Sequence, residues 1–421
     1  MQSETHQDMA RVDQSPEPLI TQRQLEMSVK QSIGVFAYLA SLGILSACTP
    51  QPPPIPQATV QVGQAGRCGT THGAFVETGK MVTPRALHTA TLLEDGTVLI
   101  AGGASGNQPL DSSEIFDPAR GVFFPAGTMT VARQQAVSVR LSDGRVLIAG
   151  GFARLTPFVA PLDTAEIYDP KSRTFSAIGS IGFPDVASSS TFPGGMVLRV
   201  AIPGGFDVAH SATLLDGGTV LLVDNDAARL FNSDKGTFEP AAKPIVRRMQ
   251  STAAKLSDGR VLIACGGAGP VSWKSAEIYD PKSDRFTRTG DMLEPLFFCH
   301  TALLPDGHVL LTGTSGGDYK GEVYDPKTGA FSSAGKLPFV LMEPVPSRLN
   351  DGRVLLTGLA KGLTAEIYDW KSNAFESIGA ILPGRSEYTS TTLLDGSILI
   401  AGGGSDFLPP SYPDTSLLYC P

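Results

Sequence analysis

One dipeptide keeps returning along this chain, and its spacing restricts the fold more than any other feature. Asp-Gly stands at Asp95-Gly96, Asp143-Gly144, Asp216-Gly217, Asp258-Gly259, Asp306-Gly307, Asp351-Gly352 and Asp395-Gly396, most copies 42 to 48 residues apart. Each is followed by an apolar run, and most of these runs end in Gly-Gly. Self-similarity at that period belongs to repeat architectures, where each copy buries its apolar surface only against its neighbours.

Two copies show what the unit contains. The first runs from Arg85 through His88, Asp95-Gly96 and Val98-Leu-Ile-Ala-Gly-Gly103, then Glu114-Ile-Phe-Asp-Pro118, Phe123 and Gly127-Thr-Met129. The fourth runs from Arg248 through Asp258-Gly259 and Val261-Leu-Ile-Ala-Cys-Gly-Gly267, then Glu277-Ile-Tyr-Asp-Pro281, Phe286 and Gly290-Asp-Met292. Each copy holds four apolar runs of three to six residues. They are too short for helices and rich in Val, Ile, Leu, Phe and Tyr, so they read as strands. Asp-Gly between two such runs predicts a hairpin with a type I′ turn, positive in φ at both central residues. Asp-Pro predicts the second tight turn. The paired glycines predict places where a neighbouring blade leaves no room for a side chain.

The pattern Arg…Asp-Gly…Val-Leu-Ile-Ala-Gly-Gly…Glu-Ile-Tyr-Asp-Pro…Phe…Gly-x-Met resembles the kelch repeat over residues 72 to 420. Within that family it is similar to bacterial chains whose repeats resemble the central domain of galactose oxidase. The resemblance implies an all-β chain, a β-propeller with one four-stranded sheet per repeat. Seven copies imply seven blades. The last copy ends at Leu417-Leu-Tyr-Cys-Pro421, one strand short, and Gly73-Ala-Phe-Val-Glu-Thr-Gly-Lys-Met81 matches the missing outer strand. The N-terminal segment is therefore expected to complete the last blade and close the ring.

The cysteines fit that closure. Cys420 replaces the Asp of the Asp-Pro turn, and Cys68 lies seven residues before Phe75, at about the same turn. A Cys68–Cys420 disulfide is expected. On the chain-entropy model it would contribute roughly 5 kcal/mol. Cys265 ends the Gly-Gly strand of blade four and Cys299 opens the inner strand of blade five. Their positions leave both a bond and two separate buried thiols open.

The start of the chain reads as an address. Met27-Ser-Val-Lys30 precedes an apolar run from Ile33 that ends in Leu45-Ser-Ala-Cys48. A basic flank, a short apolar core and small residues before a cut describe a secretory signal over residues 1–47, with Met27 as an alternative start. Leu-Ser-Ala-Cys resembles the bacterial lipobox, which implies lipidation of Cys48, palmitate included, and a place at the cell envelope. Thr49, not Asp, follows the cysteine, which implies the outer membrane where a cell has one. Export permits disulfides. Residues 48–71 are rich in Pro and Gln and read as a tether. The propeller is assigned to 72–421. With 46 Gly, 32 Pro and a net charge of −8, the chain fits turn-rich β structure and carries no basic stripe, so nucleic acid is excluded as a partner.

Propeller geometry puts the Asp-Gly and Asp-Pro turns on one face and the Gly-Gly loops and blade crossovers on the other. The first face is uniform and the second varies from copy to copy. Binding residues concentrate on loops held by a rigid scaffold, so the varied face is the expected binding face. Phe158, Trp273, Tyr319, Phe407 and Tyr412 occur there once each, beside Arg154, Lys274 and Asp318. Aromatics of this kind stack on sugars or anchor protein partners. An insertion at Ile181–Phe206, between blades two and three, predicts an extra hairpin strand within Met196–Ile202 and reads equally as a binding lid or as surface decoration.

His88 and His210 occupy one place on inner strands, and His300 the same place or one residue off. A histidine cluster at the axis would suit a metal, but inheritance by repetition explains them as well, and no metal or cofactor is expected. The repeated Glu114, Glu166, Glu277, Glu322 and Glu366, with Arg85, Arg133, Arg248 and Arg385, read as structural charges paired between blades. Gly-x-Ser-x-Gly is absent, and Gly102-Gly-Ala-Ser-Gly106 is repeat punctuation with no helix after it. Galactose oxidase relatives need Tyr and His copper ligands and a Cys cross-linked to Tyr, which have no evident counterpart here. Catalytic residues are accordingly not assigned. The expected function is a protein- or glycan-binding module, with no role for the membrane beyond the lipid anchor. The alternatives are a carbohydrate-active enzyme or galactose-oxidase-like oxidase, and a structural envelope component.

Overall fold

The computed structural model describes residues 60–61, 68 and 72–421, apart from 107, 154–160, 184–188, 192–196, 200–210, 269–270, 273, 317, 336, 338–341, 360–362, 383–384 and 405–412. The signal and Cys48 therefore lie outside the described residues.

Seven antiparallel sheets follow one another, each with its first strand innermost. Those inner strands are Thr89–Leu92, Val137–Arg140, Ser211–Leu214, Thr252–Lys255, Phe297–Leu303, Met342–Arg348 and Thr389–Thr392. Each lies against the inner strands of the blades before and after it, all the way round, so the ring is closed about a central axis. This is the seven-bladed β-propeller that the repeat spacing predicts.

The second strand of each blade explains the hydrophobic runs. Val98–Ala101, Val146–Ala149, Val261–Ala264 and Ile398–Ala401 are buried at every residue. A strand with a blade on both sides has no solvent face, so period-two alternation gives way to a continuous apolar run. Farther out, the third and fourth strands of every blade share an aromatic pair. Phe116–Phe123, Tyr168–Phe175, Phe231–Phe238, Tyr279–Phe286, Tyr324–Phe331 and Tyr368–Phe375 stand 4.7 to 4.9 Å apart between ring centroids. Tilted pairs at this distance add ~0.5–1.5 kcal/mol beyond their area.

The seventh sheet is assembled from both ends of the chain. Ala74–Glu77 pairs antiparallel with Ser416–Cys420, Phe75 opposite Tyr419. Cys68 is bonded to Cys420 across 352 residues, as expected. Val60–Gln61 adds a fifth strand parallel to Ala74–Glu77, so the segment read as a tether carries strand structure there.

Two expectations need correction. The Asp-Gly turns are not type I′. In the first, Gly96 N–H donates to Leu93 O and Leu93 N–H to Thr97 O, while of the loop residues only Gly96 has positive φ, at 84°. That is a three-residue loop, a type I turn followed by a left-handed glycine, which Asp-Gly suits equally. Second, Arg85 and Glu114, Arg133 and Glu166, and Arg248 and Glu277 form their ion pairs within one repeat and not between blades. The paired glycines stand, as expected, where a neighbouring blade leaves no room for a side chain, and a positive φ adds a second reason. Gly102 has φ 65°, and a Cβ there would stand 2.3 Å from the Arg133 carbonyl oxygen of the next blade.

Candidate functional site

The two faces differ in how their residues are used. On the turn face six of the seven Asp-Gly aspartates accept the backbone N–H two residues on, from Thr97, Arg145, Arg260, His308, Arg353 and Ser397, at 2.9 to 3.1 Å. The Asp-Pro aspartates do the same for Ala119, Lys171, Lys282 and Lys327, and Asp369, followed by Trp370, does so for Lys371, all at 2.9 Å. Their carboxylates are committed to holding turns.

On the loop face the crossovers between blades are clamped by the Arg–Glu pairs. The buried Arg85 guanidinium donates to Glu114 at 2.7 Å and to the carbonyls of Gly102 and Ser112. Glu114 in turn accepts the crossover N–H groups of Val82 and Thr83. Arg133–Glu166 and Arg248–Glu277 repeat the arrangement, holding Thr130 and Val131, and Ile245 and Val246. Burial lowers the Arg85 and Arg248 guanidinium pKa values, and the facing carboxylates oppose that shift. A buried pair of this kind positions a segment more than it stabilises one.

The other blades vary the clamp. In blade seven Leu417 replaces the glutamate, and Arg385 donates to Gly402 O, Thr415 O and Thr415 Oγ1. The crossover there contains Pro383, which has no N–H for a carboxylate to hold. In blade three Arg229 stands at the glutamate position and donates to the crossover carbonyl of Gly182. The polarity is inverted: a side-chain donor meets a backbone acceptor. In blade five Leu296 stands where the arginine would be, and Glu322, without an arginine, accepts the Leu293 and Glu294 N–H groups. Burial raises its carboxyl pKa, and those two N–H bonds oppose the rise.

Directly after each clamp the inner strand begins, and here five blades share an unusual backbone. Leu87, Gln135, Gln250, Phe298 and Glu387 all lie in the left-handed region, with φ between 50° and 59°. Each is two residues past the arginine position. For residues other than Gly this costs roughly 1–2 kcal/mol apiece and persists only where the surroundings impose it. Hydrogen bonds link three of them across blades seven, one and two: Gln135 N–H donates to Leu87 O at 2.8 Å, and Leu87 N–H to Glu387 O at 3.0 Å. They form a rim around the axis on the loop face. Phe298 is 49 % exposed, Gln135 and Glu387 are exposed, and Leu87 and Gln250 are half-buried.

One step farther in come His88, Ala136, Ser251, Cys299 and Tyr388. His88 is buried, with Nε2 on Thr389 Oγ1 of blade seven at 2.9 Å and Nδ1 without a partner. Burial, with Arg85 nearby, pushes its imidazole down to about 3. His300 is one residue off this place. It pairs across the strand with Thr312, whereas Thr89 holds the corresponding position opposite Ala101, so His88 and His300 fall on opposite faces of their strands. Burial pushes His300 down to about 4. His210 lies outside the described residues. Cys299 is bonded to Cys265 of blade four, which settles the question its position left open.

Of the expected binding-face residues, Lys274 is exposed and its Nζ donates to Leu293 O. Asp318 and Tyr319 begin a long third strand in blade five, opposite Ser315 and Thr314. Arg154, Phe158, Trp273, Phe407 and Tyr412 lie outside the described residues. The insertion carries a hairpin, Ser189–Thr191 with Val197–Arg199, the second strand inside the segment expected to form it. The rim itself was missed. Leu, Gln, Phe and Glu do not favour positive φ, so the only sequence signal is their shared place before the His88 position.

Comparison with known proteins adds the fold alone. No family model matches the chain, and no curated protein matches it. Among solved structures, a fungal alcohol oxidase of the AA5 family, determined in complex with copper, is similar with a TM-score of 0.62 and 14 % identity. The match covers 85 % of this chain and 77 % of that one. Its copper sets a test for the residues here. Among the described residues no group of three or more His, Cys, Asp and Glu stands together to hold a metal ion. His88 and His300 are in blades one and five on opposite strand faces, and Cys299 is committed to a disulfide. The described residues do not fit a copper centre.

Proposed function

We propose that this chain is a binding module of the cell envelope, a closed propeller that presents its loop face to a protein or a surface glycan. The observation that carries this reading is the rim. One strained backbone position is held in five blades, yet it bears Leu, Gln, Gln, Phe and Glu. The turn face keeps nearly the same residue at each equivalent place. A scaffold position repeats its residue, and a recognition position varies it. Phe298 supplies an apolar, stackable surface, and Gln135, Gln250 and Glu387 supply hydrogen-bonding groups around it. In this reading the apolar run before Cys48 directs export, and a lipid on Cys48 holds the module at the envelope.

The test is a thermal-shift series on protein lacking residues 1–50, against oligosaccharides and against candidate envelope proteins. A ligand at 100 times its dissociation constant adds about 2.7 kcal/mol, which is visible as a raised Tm. The reading fails if a ligand is found whose binding is unchanged by Phe298→Ala and Gln250→Ala together.

The likeness to a copper-bound alcohol oxidase favours a second reading, an oxidase. Copper titration with detection of peroxide from alcohols and sugars decides it. Stoichiometric copper binding with turnover would replace the binding reading, and its absence would leave a purely structural envelope role as the remaining competitor.

A further inference from the structure

We infer that the Cys265–Cys299 disulfide is a redox-addressed latch on the loop face, holding the blade four to blade five crossover in place of the arginine that this junction lacks. The inference rests on the reading of the loop face as the binding face.

Three observations at one junction carry it. First, the clamp is incomplete only on the arginine side. Leu296 occupies the arginine position of blade five, while Glu322 still holds Leu293 and Glu294. Second, Cys265 takes the place of a glycine. It has φ 65°, as Gly102 and Gly402 have, and in those blades a Cβ would stand 2.3 to 2.4 Å from an arginine carbonyl. A side chain at so crowded a place needs a reason, and its bond to the next blade is one. Third, Cys299 directly follows Phe298, the most apolar member of the rim and 49 % exposed. Leu293 in the same crossover is 45 % exposed. The bond therefore fixes a segment whose apolar residues face outward.

Opening the latch is a two-electron step. An external dithiol attacks the disulfide, the Cys265–Cys299 bond breaks to two thiols, and the dithiol leaves as its own disulfide with electrons and protons balanced. The crossover then keeps Glu322 on Leu293 and Glu294, Lys274 on Leu293 O and the backbone bonds of Met292 and Leu296, but no covalent tie and no arginine, and the ring stays closed through Cys68–Cys420 and the paired strands of blade seven. The expected state is a native ring with a loosened rim at Phe298.

Amide hydrogen exchange tests this without any ligand, so its failure is distinct from failure of the binding reading. The segment 292–300 is compared with 129–137, the equivalent crossover that keeps Arg133, in full-length protein before and after dithiothreitol. Cys68→Ser/Cys420→Ser protein confines reduction to the latch. Should that variant not fold, partial reduction of the unaltered protein with mass mapping of alkylated cysteines identifies the opened bond. Exchange at 292–300 is expected to rise at least ~10-fold with 129–137 unchanged, the mark of local opening. Unchanged exchange at 292–300, or an equal rise in both segments, overturns the latch. The triple change Cys265→Gly/Leu296→Arg/Cys299→Ser rebuilds the arginine junction. Its 292–300 segment is expected to match 129–137 in protection under reducing conditions, and failure to do so would refute the equivalence of staple and clamp.

Discussion

Phe75 and Tyr419 stand 5.0 Å apart between ring centroids, the same relationship that the other six blades make between neighbouring strands of one repeat. Here the two rings come from opposite ends of the chain, so a repeat contact has become the closing contact of the ring. Phe75→Ala should cost about 3–5 kcal/mol, as for other fully buried Phe. Cys68→Ser/Cys420→Ser should cost about 2–5 kcal/mol. Both act on one closure, so urea unfolding of the combined variant should show less than their sum.

The arginine clamp makes a sharper prediction. Arg133→Ala leaves Glu166 buried without its partner and should cost about 3–5 kcal/mol, whereas Arg133→Met/Glu166→Met should cost clearly less. Equal losses in the two variants, measured by denaturant midpoints, would show that the charges themselves stabilise the blade.

Stability should fall in mild acid because of His88, which is buried, and His300, which is partly buried. The folded imidazole of His88 is lowered to about 3 and that of His300 to about 4, below the ordinary 6.5. The unfolded chain therefore takes up protons first as pH falls through 6.5, and native stability is lost by up to ~1.4 kcal/mol per histidine per pH unit until the folded values are reached. His88→Asn/His300→Asn should flatten the slope between pH 6.5 and 4.5 in thermal melts.

Glu322 acts in the other direction. Its folded carboxyl is raised above the ordinary 4.5, so the native state binds the proton more tightly and stability declines as pH rises above 4.5. Glu322→Gln should remove this decline. A slope unchanged by the substitution would assign it to another group.

The rim should trade stability for recognition. Gln250→Gly relieves a left-handed non-Gly residue and should stabilise the fold by about 1 kcal/mol or less, once the entropy of glycine is subtracted. The same change should weaken any loop-face ligand.

Much of this architecture is readable because repetition turns position into information. Seven Asp-Gly copies count the blades, the strand missing after Cys420 is found at Phe75, and the same count aligns Cys68 with Cys420. What repetition conceals is the partner of a repeated residue. Arg85 and Glu114 recur together whether they pair within or between blades, and only the folded blade brings both to one crossover. Asp-Gly likewise serves two hairpin types, and one was read for the other. Of the expected face, Lys274, Asp318 and Tyr319 are placed on it. The rim residues were illegible because a left-handed Leu87 or Phe298 is imposed by tertiary packing and not by its own preference.

The cysteine pairing has a consequence for how the chain is made. Cys68 leaves the ribosome long before Cys420, its partner 352 residues on, while Cys265 and Cys299 lie 34 residues apart in between. Among these four, oxidation in order of appearance would join Cys68 to Cys265, a bond the finished ring does not contain. Native pairing thus requires either that Cys68 wait, protected, until Cys420 has been made, or that a thiol–disulfide isomerase correct the early bond. Biogenesis of this propeller is a problem of timing, and the arrival of Cys420 decides when the ring can lock.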